Sequence, residues 1–346
     1  MAKLPVNAFL TQASHLPVLD VRSPAEYAAG HMPHAHNVPL FSNEERAQVG
    51  TLYKQTGRYE ALLKGLDVVG PKMRYIVEVA NALAVEGELL VHCWRGGMRS
   101  ESIAWLLNTA GMQAHTLVGG YKAYRQAGLE IYQQPLPILI VGGATGSGKT
   151  ELLQQLHRQG EQVIDLEKLA HHRGSAFGGI GQSAQPTTEQ FHNDLHAAFQ
   201  SLDLSRRIWV EDESFSIGGV QLPYAFWDHM KHAPVLVMEV PRSLRIQRLV
   251  QEYGTLNRQK LARAIQTIER RLGGLRMQQA LQALEEDRLA DVARGLLEYY
   301  DASYQRNLER KPAHLRHPLS CPNDDPTENA TRLRQFSDNM NFQPTM

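Results

Sequence analysis

The feature that most restricts the fold is an eight-residue stretch, GATGSGKT at 143–150. It lies between the apolar run ILIV at 138–141 and the helix-prone TELLQQL. A G-x-x-x-x-G-K-[ST] loop in this setting belongs at the point where a buried strand ends and a helix begins. Gly143, Gly146 and Gly148 let backbone N–H groups wrap phosphate oxygens. Lys149 adds a point charge, and Thr150 is the usual magnesium ligand of such a loop. A strand of this kind sits in a parallel sheet crossed by helices, so the surrounding region should be α/β. Further strands are expected at QVIDL (162–166), RIWVED (207–212) and PVLVMEV (234–240). A partner acid should end a neighbouring strand. Asp212 in WVEDES is the candidate to meet the metal or its water, with Asp165 as a competitor. The Gly-rich AHHRGSAFGGIG (170–181) reads as a flexible loop over a ligand, with Arg173 able to contact phosphate.

A second chemical signal stands earlier, in HCWRGGMRS at 92–100, after the strand-like ELLV and before a helical stretch. A cysteine between a strand end and a helix N-terminus feels the positive helix end, which lowers a thiol pKa and attracts anions. Arg95 and Arg99 add charge, while Gly96 and Gly97 allow N–H groups to turn inward. Cys93 is therefore the candidate nucleophile. The other cysteine, Cys321, lies among prolines and is expected to be incidental. Two cysteines make no disulfide framework, and they fit a reducing cytoplasm. His31, His34 and His36 read as a structural loop rather than a metal cluster.

Four segments emerge: an α/β domain at 1–134, the phosphate-loop α/β domain at 135–242, a helical region at 243–312, and a disordered tail at 313–346. The tail is expected from Pro312, Pro318, Pro322, Pro326 and Pro344 amid polar residues. The formal net charge of +0 hides an uneven distribution. Residues 135–241 carry 7 basic and 12 acidic side chains, and residues 242–316 carry 15 and 9. The basic helical region is thus a candidate phosphate-tracking surface, with Arg263, Arg270, Arg271 and Arg276 as contacts. Tyr299, Tyr300 and Tyr304 could stack on bases, although their helical spacing favours the core. No apolar run approaches the ~20 residues of a membrane span.

The segment LPVLDVRSPAEYAAGHMPHAHNVPL (16–40), together with the Cys93 loop, resembles the rhodanese family. That family moves sulfur or a relative through a cysteine persulfide, which makes Cys93 the carrier and Asp20 with Arg22 a structural pair. The loop from Cys93 to Arg99 has seven residues, whereas sulfur-transferring rhodaneses typically use six. The longer loop suits a phosphate-like donor. With the phosphate loop, EDES, and RAIQTIERRLGGLRMQQALQALEE, the chain as far as about 310 resembles the bacterial tRNA 2-selenouridine synthases. The resemblance implies a rhodanese-like domain followed by a P-loop NTPase-like domain with a C-terminal helical region. It further implies selenium-for-sulfur exchange at the wobble 2-thiouridine of tRNA. Selenophosphate and geranyl diphosphate would be co-substrates, and S-geranyl-2-thiouridine the intermediate. Arg95, Gly96, Gly97 and Arg99 would hold selenophosphate. Gly143, Gly146, Gly148, Lys149, Thr150 and Arg173 would hold the diphosphate, with magnesium as an accessory and no redox cofactor. Partners would be the thiolated tRNA and a selenophosphate supplier. The competing readings are a P-loop kinase or nucleotidase with an accessory sulfurtransferase domain, a non-catalytic relay protein and a cysteine phosphatase.

Overall fold

In the computed structural model, which describes residues 2–340, the chain divides into two compact units at the Ile131–Tyr132 bond. The first is built on five parallel strands: β1 (Lys3–Leu4), β2 (Val18–Asp20), β3 (His36–Asn37), β4 (Glu88–His92) and β5 (Gln113–Leu117). Their order is β1-β5-β4-β2-β3, so β4 is central. Alternation along β4 builds both faces of the sheet. Leu89 and Val91 join a core with Leu19, Ile76, Ile103 and Leu107, while Leu90 joins Phe9, Tyr121 and Tyr124 on the other side. The helix Pro24–Ala29 starts with the capping box its sequence spells: Ser23 at the N-cap, Pro24 in the first turn and Glu26 three residues on.

The second unit repeats the plan. Strands β6 (Ile138–Gly143), β7 (Gln162–Ile164), β8 (Ile208–Glu211), β11 (Val235–Glu239) and β12 (Arg316–Ser320) form a parallel sheet in the order β12-β11-β6-β8-β7. A small hairpin, β9 (Ser216–Ile217) with β10 (Val220–Gln221), lies apart. Strand β6 is central and feeds the helix Lys149–Arg158, whose Leu152 and Leu156 pack with Leu139, Val141 and Trp209. The helices between Arg242 and Glu309 bury their own cluster, with Leu249, Leu261, Ile265, Leu284, Leu296 and Leu297 at its centre.

The expected tail is where sequence and structure part. Within the described residues of 313–346, strand β12 completes the sheet beside β11, and a helix spans Pro326–Asp338. The prolines do not prevent this. Pro318 stands in an edge strand with a neighbour on one side only, where a missing N–H costs little. Pro326 occupies the first turn of its helix, behind the N-cap Asp325, the position that proline favours. Pro344 lies outside the described residues. Cys321 is not a tail thiol either. It is wholly buried with Leu236, Ala330 and Leu333, and burial pushes its thiol up to about 11.

Candidate active site

Each sheet ends its central strand in an anion cradle, the usual binding position of an open α/β sheet. In the first unit, β4 delivers buried His92 and Cys93, and the helix Met98–Thr109 begins five residues after the cysteine. The turn between them is locked by backbone contacts. Tyr121 N–H donates to Cys93 O at 2.9 Å and Lys122 N–H to Trp94 O at 3.0 Å. Gly120 and Gly96 sit at φ 60° and 64°. A Cβ on Gly120 would lie 2.3 Å from Cys93 O, and one on Gly96 2.3 Å from Leu117 O, so neither position admits a side chain. Among the described residues, no N–H from Arg95 to Arg99 donates to a backbone carbonyl. N–H groups left open in this way, at the start of a helix, are suited to receive an anion.

The Cys93 Sγ lies 3.2 Å from Ser100 Oγ, which sequence reasoning passed over. Arg99 is already engaged: its Nη1 donates to Glu26 Oε2 at 2.8 Å, the carboxylate that also caps the helix Pro24–Ala29. Burial pushes Glu26 up, but Arg99 outweighs it and holds the carboxyl below its usual range. Arg95 is exposed at the rim. Beneath the loop, Arg22 forks onto Asp20, with its Nη2 2.6 Å from Oδ2. It stacks over the Tyr121 ring at 3.7 Å and donates to Gly30 O. Both ionic side chains are fully buried, so this pair frames the site. His92 completes it, and burial pushes its ring pKa down.

In the second unit the loop 143–150 follows β6. Among the described residues, the N–H groups of Thr145, Gly146, Gly148, Lys149 and Thr150 meet no backbone carbonyl. Lys149 Nζ donates to Gly143 O at 3.1 Å. The acid that meets Thr150 is Glu167, whose Oε2 accepts from the Thr150 hydroxyl at 3.2 Å; sequence reasoning did not single it out. Glu213 stands beside Glu167. Asp212 lies against Gly142 and near Tyr304, with Lys311 and Lys149 as its cationic neighbours. Asp165 is spent as a helix cap, accepting from Lys168 N–H at 2.8 Å. Glu211 accepts from Glu167 N–H at 2.6 Å. Burial raises Glu167, Glu211 and Asp212, and burial followed by the charge of Glu167 raises Glu213 to about 8. Among the described residues, no group of three or more His, Cys, Asp or Glu is arranged to hold a metal ion. Thr150 and Glu167 are the protein groups that would meet magnesium, an ion that takes one or two carboxylates and otherwise phosphates and water.

Arg173 is half-exposed, 3.8 Å from Glu252, while the adjoining Gly174 packs against the Glu213 carboxyl. Arg263, Arg270, Arg271 and Arg276 are all exposed, spread over the helices Arg258–Thr267, Glu269–Leu272 and Gly274–Glu285. Two arginines counted in the same basic region turn inward instead. Arg245 forks onto Asp301 at 2.7 and 2.8 Å and donates to Thr145 O, and Arg248 reaches Gly148. Tyr299 and Tyr300 pack on the helical core, and the Tyr304 hydroxyl points at Gly142.

Two family models match the chain: a rhodanese-like domain over residues 6–127 and a tRNA 2-selenouridine synthase AAA domain over 136–319. Relatives named tRNA 2-selenouridine synthase match along most of their length. The protein from Nitrosomonas eutropha is 32% identical over 85% of this chain and 89% of its own. That from Shewanella loihica is 35% identical over 86% and 89%. That from Shewanella oneidensis is 36% identical over 85% and 87%.

Proposed function

This chain belongs to the tRNA 2-selenouridine synthase family, and from that premise we propose that it replaces sulfur with selenium at the wobble 2-thiouridine of tRNA. The observation that carries this reading is the pairing of two anion cradles in one chain, one built on a cysteine and the other on a lysine.

The loop 143–150 takes the diphosphate of geranyl diphosphate. Lys149 and the helix N-terminus draw off negative charge as the C–O bond to diphosphate breaks and the thiouridine sulfur takes the geranyl group. Magnesium, when bound at Thr150 and Glu167, adds charge neutralisation on the diphosphate. Alkylation turns the sulfur into a good leaving group. The selenium of selenophosphate then forms the C2–Se bond as the C2–S bond breaks and geranyl thiol departs, and water cleaves the P–Se bond to release phosphate. The Cys93 loop holds selenophosphate through its unpartnered N–H groups. Arg99 lies at its edge, and the Cys93 thiol is the catalytic group beside the bound selenium. The exposed arginines of the helical region carry the tRNA backbone, in the cytoplasm, with a selenophosphate-making enzyme as supplier.

The test is nucleoside mass spectrometry after incubation with thiolated tRNA, adding geranyl diphosphate and selenophosphate separately and together. The expected result is S-geranyl-2-thiouridine from geranyl diphosphate alone, and 2-selenouridine only with both. Selenouridine formed without geranyl diphosphate would remove the intermediate. Phosphate release from ATP with no change in the tRNA would favour a nucleotidase.

A further inference from the structure

The phosphate loop carries a cation that its motif does not name. Arg248 lies in the helix Arg242–Gly254, and its guanidinium rests on Gly148. A Cβ built on Gly148 would fall 1.4 Å from Arg248 Nη1 and 2.4 Å from Cζ, so this approach exists only because residue 148 is glycine. The side chain is 13% exposed. Its Nη2 pairs with Asp324, and its Nη1 lies 3.6 Å from Glu151 Oε2. Among the described residues that buried Nη1 makes no hydrogen bond. A buried charged donor gains from a well-placed acceptor, and this one faces a loop in which, among the described residues, the N–H groups of Thr145, Gly146, Gly148, Lys149 and Thr150 meet no backbone carbonyl.

The two cations mark opposite ends of the loop. Lys149 Nζ rests on the carbonyl of Gly143, where the loop starts, and Arg248 covers Gly148, where it ends. A single phosphate needs one cationic centre, whereas two linked phosphates can use both. We propose that Arg248 is a second phosphate-binding cation of this loop, that it selects a diphosphate over a single phosphate, and that Asp324 holds it in place. The inference rests on the reading that the loop takes a diphosphate, and it names the residues that read the second phosphate.

Arginine suits this task because of its fork. Nη2 can stay on Asp324 while Nη1 donates to the ligand, a division that a lysine ammonium cannot reproduce. Asp324 is itself tied to the loop. It stands two residues ahead of the helix Pro326–Asp338, whose Ala330 and Leu333 pack on Leu152 and Leu156 of the loop's own helix. Gln155 Nε2 also donates to Thr327 Oγ1 at 2.9 Å. One turn before Arg248, Arg245 donates to Thr145 O and so keeps the helix in register with the loop.

The experiment is calorimetric binding of inorganic pyrophosphate and of orthophosphate to the full chain, as wild type, Arg248→Ala, Arg248→Lys and Asp324→Asn. Losing a charge-assisted contact to one phosphate should weaken pyrophosphate binding about tenfold in Arg248→Ala, with orthophosphate changed less than about threefold. Arg248→Lys should lose most of the same preference, and Asp324→Asn part of it. Thermal melting checks that each variant is folded. If Arg248→Ala does not fold, Arg248→Lys carries the test. Equal losses for both anions, or no loss for either, would overturn the inference while leaving the diphosphate reading standing. Wild-type protein that binds pyrophosphate no better than orthophosphate would overturn that reading, and the inference with it.

Discussion

The two cradles share a position in their sheets and differ in how their charge is settled. Around Cys93 the carboxylates are already matched, Glu26 with Arg99 and Asp20 with Arg22, and both are held below their usual range. Around the loop 143–150, Glu167, Asp212 and Glu213 crowd near Lys149, Glu211 stands beside Glu167 and Glu213, and burial raises all four. The carboxylates of the first cradle are therefore neutralised before any ligand arrives. The second stays electrostatically open, so its occupancy must depend on protons, cations and the anion it receives.

The largest expected effect separates the two by activity. Cys93→Ser should cut 2-selenouridine formation by at least about 10³-fold while leaving S-geranyl-2-thiouridine formation near wild type. Nucleoside mass spectrometry reads both products, and equal loss of the two would merge the cradles into one site. The reciprocal change, Lys149→Ala, should lower geranylation about 10²-fold. Unchanged geranylation in that variant would detach the phosphate loop from prenyl transfer.

The electrostatic contrast has its own test. Glu213 keeps a proton in the folded chain up to about pH 8, which an unfolded glutamate gives up near 4.5. The folded state thus binds the extra proton between those values, and its stability falls as pH rises through them. Glu213→Gln removes this penalty. Its melting temperature should match wild type near pH 5 and exceed it by about 3 °C or more at pH 9. Melting curves that stay parallel across that range would show the open charge state to be wrong. The smallest effect concerns the surface that would bring tRNA to either cradle. Replacing Arg270 or Arg271 with alanine should weaken tRNA binding about twofold to fivefold and reduce the salt slope by ~1. Binding that ignores ionic strength would move the tRNA surface away from these helices.

Both cradles were legible in the sequence because each is local. The strand, the glycines and the Lys or Cys lie within a dozen residues, and backbone geometry demands that order. The capping box at Ser23 and Glu26 was legible for the same reason. What escaped was non-local. Glu167 meets Thr150 only because β7 comes to lie in the same sheet as β6, and nothing in QVIDLE distinguishes its two acids. Asp165, the nearer competitor, proved to be a helix cap. Arg245 and Arg248 entered only the charge count of the basic helical region, since their partners Asp301 and Asp324 are distant in the chain. The prolines of the C-terminal segment were counted as disorder when Pro318 and Pro326 occupy the two settings, edge strand and first helical turn, that accept them.

The placement of β12 bears on how the protein is made. All five strands of the first sheet lie between Lys3 and Leu117, so that unit can close while the ribosome is still translating the rest. The second sheet must wait for Ser320. At common synthesis rates the interval from Leu117 is on the order of 10–40 s. Once β11 has been made, and until β12 joins it, the nascent chain shows a bare edge on β11 and the uncovered apolar side of the helix Lys149–Arg158, a window for chaperones and a hazard for aggregation. Asp324 emerges last among the groups at the phosphate loop, so a growing chain cannot set Arg248 over Gly148 ahead of time. The contact that fixes Arg248 over the loop is thus among the last that the growing chain can make.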